Sequence, residues 1–281
     1  MILKPTTYPM KPPPGAKLIT GHLLAKGLVG CWTMSENSGL KIFDSSRYGN
    51  TGTFAAGAAS PIWVTGKYGP CLNFDGGDHI IVPDSPSLDC VGTGLSIVAW
   101  ITEVAGNYDY FVSKNGITAG GYSVGKRDAD EFIFWVYTTG GGSVSSTPVH
   151  VFGTGWVHVV ATFDGAWMKM YVNGVHILPD TANAGSIPAG ADDLFIGAYN
   201  DGTPASNQWL GQIDDVSIYN RALSASEIQQ LFYDPFCMFA RRGWPVGFDT
   251  GAVPPAAESV FGSLLTEAMY IKYKKGMYSE I

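Results

Sequence analysis

Chemistry in this chain would have to come from its carboxylates, histidines, cysteines and exposed aromatic residues, and their spacing limits what that chemistry can be. One carboxylate cluster, Asp128-Ala-Asp-Glu131, sits just ahead of an apolar run that begins at Phe132. Short Asp-rich segments between apolar runs are turns whose side chains bond their own backbone, so this cluster reads as a solvated turn. There is no Gly-x-Ser-x-Gly elbow and no phosphate-cradling P-loop. The five histidines (His22, His79, His150, His158, His176) lack ligand spacing, and the four cysteines (Cys31, Cys71, Cys90, Cys237) include no C-x-x-C pair. Catalysis is not expected. Asp214 stands out for another reason. On a strand over Gly211–Tyr219 it shares parity with Val216 and Ile218 and so points inward. A carboxylate there must be neutralised, paired or metal-bound.

The elements that position these residues are strands. Two alternating runs, Trp156–Phe163 and Ala166–Val172, are joined by Asp164-Gly165 and closed by Asn173-Gly174. Both dipeptides suit turns that need positive φ, so the runs form a hairpin. Val157, Val159, Ala161 and Phe163 share one face of it, matched by Met168, Met170 and Val172. Further strands are expected at Leu28–Thr33, Cys71–Phe74, His79–Val82, Leu95–Thr102, Tyr108–Lys114, Tyr122–Lys126, Phe132–Thr138, Leu194–Ala198 and Gly211–Tyr219. Strands at this spacing, punctuated by glycine, make a two-sheet sandwich. One helix is signed: Ser224 and Glu227 form a capping box, and Ala225 to about Tyr233 precedes Pro235.

Composition agrees. The 281 residues include 36 glycines and 17 prolines, and only 15% are charged. Lys plus Arg number 17 and Asp plus Glu 24, a net charge of −7. That balance argues against nucleic acid or an anionic membrane as main partner, since both need a basic face. The N-terminus lacks an unbroken apolar signal region, and no 18-residue apolar run occurs elsewhere. A soluble chain made in a cytosol, with free thiols, is expected.

Three zones follow. Residues 1–23 carry Pro5, Pro9, Pro12, Pro13 and Pro14 and read as an extended arm, since proline removes donors and fixes φ. Residues 24–242 are the sandwich. Residues 243–281 are a Tyr-rich tail with a short helix and a terminal strand. Arm and tail carry apolar and aromatic side chains without a core of their own: Tyr8, Met10, Leu18 and Ile19 in one, Phe261, Leu265, Tyr270 and Tyr273 in the other. These are read as assembly-docking residues, suited to adding a strand to another subunit.

Residues 24–239 resemble the laminin-G-like branch of the concanavalin-A-like lectin/glucanase jelly rolls. The blocks that carry the resemblance are Gly27-Leu-Val-Gly-Cys-Trp32, Asp44-Ser-Ser, Gly49-Asn-Thr-Gly52, Phe74-Asp-Gly-Gly-Asp-His-Ile-Ile-Val82, Leu95-Ser-Ile-Val-Ala-Trp100, Trp156–Asp164, Tyr171-Val-Asn-Gly174 and Gly211–Ser224. The resemblance implies an all-β, antiparallel jelly-roll sandwich. It also implies a structural calcium ion held by Asp44, Asn50 and Asp214 with a carbonyl such as that of Gly49. The alternative is that Asp44 makes an Asx-turn while Asp214 caps loop amides or pairs with Arg47. Lectin sites on this fold use loop aromatics beside Asn or Asp, which here gives Tyr199, Asn200, Asp201 and Trp209, with Trp167 on the hairpin. Hydrolytic members carry a Glu-x-Asp-x-x-Glu type strand pattern that this sequence lacks. The flanks, Lys4-Pro-Thr-Thr-Tyr-Pro9 with Lys11-Pro-Pro-Pro-Gly15 and Phe236-Cys-Met-Phe-Ala-Arg-Arg-Gly243, look like those of tailed-phage virion proteins. The functional expectation is a non-enzymatic virion structural or decoration protein. Capsid or tail subunits, further copies of itself and host-surface glycans would be its partners. The alternative is a soluble lectin module outside any virion.

Overall fold

The computed structural model describes residues 11–102, 108–114, 120–127, 131–148, 155–200 and 206–240. In chain order the strands are β1 (Leu28–Trp32), β2 (Lys41–Ile42), β3 (Gly52–Phe54), β4 (Ile62–Thr65), β5 (Pro70–Asp75), β6 (Ile80–Val82), β7 (Leu95–Ile101) and β8 (Tyr110–Lys114). They continue as β9 (Tyr122–Arg127), β10 (Glu131–Thr138), β11 (Gly141–Pro148), β12 (Val157–Phe163), β13 (Trp167–Val172), β14 (Val175–Ala182), β15 (Leu194–Ile196) and β16 (Leu210–Tyr219). The helix α1 (Ala225–Tyr233) follows.

The strands form two antiparallel sheets, as the sequence implies. The first runs β14-β13-β12-β7-β16-β5-β4, with β1 also on β16; the second runs β11-β10-β9-β8-β15-β6-β3-β2. Their facing sides make the main core, which includes Ile97, Ala99 and Ile101 of β7 and Phe132, Phe134 and Val136 of β10. The hairpin faces expected from β12 and β13 are in that core. Each large apolar side chain buried there contributes about 2–3 kcal/mol. Asn173 and Gly174 both have positive φ, 51° and 77°, so the β13–β14 turn is the primed type that follows the strand twist. The β12–β13 turn is built differently. Asp164 Oδ1 accepts from Ala166 N at 3.0 Å and Trp167 N at 2.8 Å, so an aspartate side chain holds a three-residue loop.

A second core lies on the outer side of the first sheet. Val98, Val160, Tyr171 and Tyr219 meet Ile228 and Leu231 of α1 and Phe236, Met238 and Phe239 beyond it. The capping box is present: Glu227 N donates to Ser224 Oγ, and Ser224 N donates to Glu227 Oε2. The Pro-rich segment joins this layer, which corrects the expected arm. From Lys11 on it lies on its own sandwich. Ile19 N donates to Met238 O at 2.8 Å, Leu18 bridges Phe239, and Ala240 N donates to Lys17 O at 3.1 Å. Leu18 packs on the second core, so Leu18 and Ile19 are used within the chain. Their apolar surface is covered by the segment at Met238–Phe239 and the second core. Tyr8, Met10, Phe261, Leu265, Tyr270 and Tyr273 lie outside the described residues, as does the tail from residue 243 on. All four cysteines are free thiols.

Candidate functional site

The residues expected to hold calcium are occupied by protein donors. Asp44 Oδ1 accepts from Cys31 N (2.8 Å) and Ser46 N (2.7 Å), and Oδ2 from Ser46 Oγ (2.7 Å) and Asn50 N (2.8 Å). Asp44 is therefore the Asx-turn of the alternative reading, tying its loop to β1. Burial pushes its carboxyl up, against the opposing pull of these hydrogen bonds. Asn50 is spent the same way: its Nδ2 donates to Val29 O (2.9 Å) and Ser87 Oγ (3.0 Å).

Asp214 does not point between the sheets, which corrects the parity argument. The ladder with β7 shifts register between Asp214 and Ser217, and Asp215 has φ of 50°. This bulge flips the alternation. Ile213 opposite Ile101 faces the main core, whereas Asp214 opposite Trp100 faces the outer layer. There it meets Lys11 Nζ, not Arg47, whose Nη2 reaches the Tyr48 hydroxyl. Among the described residues no three His, Cys, Asp or Glu side chains converge as a metal cluster. Asp44, Asn50 and Asp214 do not fit a calcium set.

The expected aromatic site also rearranges. Trp209 is fully buried in the main core, edge-on to Phe111 at 5.5 Å, with Nε1 donating to Thr102 O. It is no sugar platform, because the loop before β16 turns it inward. Asn200 is buried too; its Nδ2 donates to Asp193 O at 2.7 Å and its N to Ser113 Oγ at 3.2 Å. Asp201 lies outside the described residues. Tyr199 is half-buried and packs on Tyr110 with ring centroids 4.4 Å apart and the planes tilted by 31°. Trp167 is exposed on its hairpin.

Tyr199 belongs instead to a layer of rings on the outer face of the second sheet. On β10, Phe132, Phe134 and Val136 go to the core, so Ile133, Trp135 and Tyr137 take the other face. Trp135 and Tyr137 are half-buried and near-parallel, 9° apart in plane with centroids 6.4 Å apart. On β8, Tyr110 pairs across to Gly125, and Ser113 to Ser123, which in turn faces Trp135. These small residues leave room for the Tyr110 ring, which is buried there. A Cβ on Gly125 would lie 2.9 Å from that ring. The face thus carries two aromatic pairs, Tyr199 with Tyr110 and Trp135 with Tyr137. Polar groups rim it. Arg127 Nε donates to Glu131 Oε2 at 2.8 Å. Burial pushes the Asp109 carboxyl up to about 6.

The loops beside the layer are tied by one buried lysine. Lys114 of β8 pairs with Asp84 at 2.6 Å and Asp89 at 3.2 Å, and donates to Asp192 O. Since Asn200 bonds Asp193 O, this cluster helps fix the loop that carries Tyr199. On the first sheet's outer side, a cavity lined by Trp100, His158 and Asp215 holds about 20 Å³, room for about one water molecule. The layer of rings keeps Trp135, Tyr137 and Tyr199 half-buried, with Tyr110 buried against Tyr199.

An apolar run such as Phe132–Val136 reads on its own as core throughout, Trp135 included. The signal that would have separated it was the strict alternation of Phe132, Phe134 and Val136 with Trp135 and Tyr137.

A sandwich of this topology matches one family model over residues 74–229, more than half of the chain, described as the concanavalin A-like lectin/glucanases superfamily. The chain belongs to that superfamily. Among solved structures, domain 4 of an extracellular arabinanase from Geobacillus stearothermophilus, in complex with arabinotriose, matches with a TM-score of 0.56 at 20% identity, covering 73% of this chain and 97% of that one. The botulinum neurotoxin serotype G binding domain matches at 0.57 and 16% identity, over 73% and 50% of the two chains. A Trypanosoma rangeli sialidase matches at 0.54 and 20% identity, over 76% and 34%. The chain thus spans nearly the whole of the arabinanase domain but half or less of the other two. These likenesses concern the fold. Comparison with curated proteins finds no match.

Proposed function

We propose that this superfamily member is a non-enzymatic carbohydrate-binding jelly roll that seats a glycan on the half-buried rings Tyr199, Trp135 and Tyr137, backed by Tyr110. The observation that carries the reading is that layer, because the half-buried rings of Trp135, Tyr137 and Tyr199, the last packed on the buried Tyr110, offer rigid apolar faces with polar tips. A sugar has the complementary shape, an apolar C–H face rimmed by hydroxyls. Arabinotriose in the arabinanase domain of like fold is in keeping with it. A non-catalytic role is supported by the carboxylates on the page: Glu131 is spent on Arg127, and Asp214 and Asp215 lie against Lys11 under the outer layer.

The test is a glycan array probed with the full chain, followed by Trp135→Ala and Trp209→Phe against the best hit. Trp135→Ala should weaken binding at least tenfold with the melting temperature nearly unchanged, whereas Trp209→Phe should lower stability and leave affinity close to wild type. An array without hits overturns the reading.

The setting we propose is a virion, with the chain as a structural or decoration subunit against capsid or tail proteins. Support comes from the flanking sequences, and since the segment from Lys11 is built into the sandwich, docking falls to residues 1–10 and 243–281. Deleting 243–281 should abolish incorporation into particles while glycan binding persists.

A further inference from the structure

Lys11 makes an unusual set of contacts. Its side chain, only 4% exposed, brings Nζ to Asp214 Oδ1, to Pro70 O, to Met34 O at 3.3 Å and to Asp215 Oδ1 at 3.9 Å. The position has a structural cause. β16 pairs on one edge with β1 over Val216–Tyr219 and with β5 over Leu210–Ile213. Between the two partners the edge is open, and the bulge at Asp214–Asp215 fills that interval. Met34 follows the end of β1 and Pro70 opens β5, so their carbonyls lie on either side of the break. Two buried carboxylates and two carbonyls therefore converge on one point. Without a cation there, burial of both aspartates would be prohibitive.

We infer that Lys11 is the internal counter-cation of this sandwich, its ammonium delivered by the Pro-rich segment to the four oxygens at the β1–β5 break in place of a bound metal ion. The donor sets do not fit calcium: Asp44 is saturated by four hydrogen bonds, and Asp214 is held by an ammonium. It also gives residues 11–22 a function. They are a strap whose charged end locks into the sheet and whose apolar middle, at Leu18, lies on the second core. The aspartates remain covered only while the strap is down.

Three full-chain proteins test this: wild type, Lys11→Met, and Lys11→Met combined with Asp214→Asn and Asp215→Asn. Melting temperature is read in EDTA and in millimolar calcium, with limited proteolysis of the strap alongside. Wild type should melt at the same temperature in both. Lys11→Met should lose about 10 °C, the size expected when one partner is removed from a buried ion cluster in a domain this large, and its strap should become cleavable. The triple variant should recover most of that loss, since it has no charge left to balance. A wild-type midpoint that falls on chelation would overturn the inference, as would a Lys11→Met midpoint within about 2 °C of wild type. If Lys11→Met does not fold, the triple variant decides alone: a folded protein supports charge balance, and an unfolded one refutes it.

Discussion

Asp44 and Asp215 show how much one buried carboxylate can decide. Asp44→Ala would strip four donors of their acceptor, two of them backbone amides of its own loop, at about 2–4 kcal/mol. Chemical denaturation should register that loss as a lower midpoint. Asp215 sets a pH dependence. It shares a single lysine with Asp214, and burial pushes its carboxyl up to about 7, well above the usual aspartate range near 3.9. Between about pH 4 and pH 7 the folded chain keeps a proton that the unfolded chain releases, so stability falls as pH rises through that window. The groups that face Asp215 are Lys11 and Asp214, with Tyr68 and the neutral His158 nearby. Melting curves from pH 5 to pH 8 should decline less steeply for Asp215→Asn than for wild type; equal slopes would contradict the assignment. At this scale the sequence was partly legible. That Asp214 is buried and needs a partner followed from its surroundings, but naming Lys11 required a contact across 203 residues.

Elements were read best where the side-chain pattern and the turn chemistry agreed. β12 and β13 show their faces by alternation, and the Asn173-Gly174 turn by two positive φ angles. The helix is announced by Ser224 and Glu227, and removing the cap with Ser224→Ala should cost about 1 kcal/mol, read as a fall in midpoint without loss of folding. The strands that escaped notice, β2, β3, β4, β11 and β14, include every outermost strand of the two sheets. Outer strands need not alternate, since little of their surface is buried. β11, with the sequence Gly-Gly-Ser-Val-Ser-Ser-Thr-Pro, has no apolar alternation to announce it and pairs with β10 along its whole length. The bulge on β16 was hidden for a related reason. Asp215 is a non-glycine residue at positive φ, and neither its type nor its neighbours mark the shift that turns Asp214 to the outer layer.

Across the whole molecule, the two sheets do different work. The first is covered on its outer side by α1, the segment through Phe239 and the Lys11 strap, and so becomes the interior of a three-layer body. The second keeps an outer face with half-buried rings, and there the ligand is expected. The jelly-roll architecture was legible because many short apolar blocks recur in a set order. The ring layer was not, because it draws on β8, β10 and the segment after β15, brought together only by the sheet register. The most direct measurement is an NMR titration of the full chain with the best glycan from the array, following aromatic and indole signals. The account predicts that Tyr110, Trp135, Tyr137 and Tyr199 shift on binding while the Trp209 indole stays put. Shifts centred on Trp167 or elsewhere, with those four rings unmoved, would contradict it.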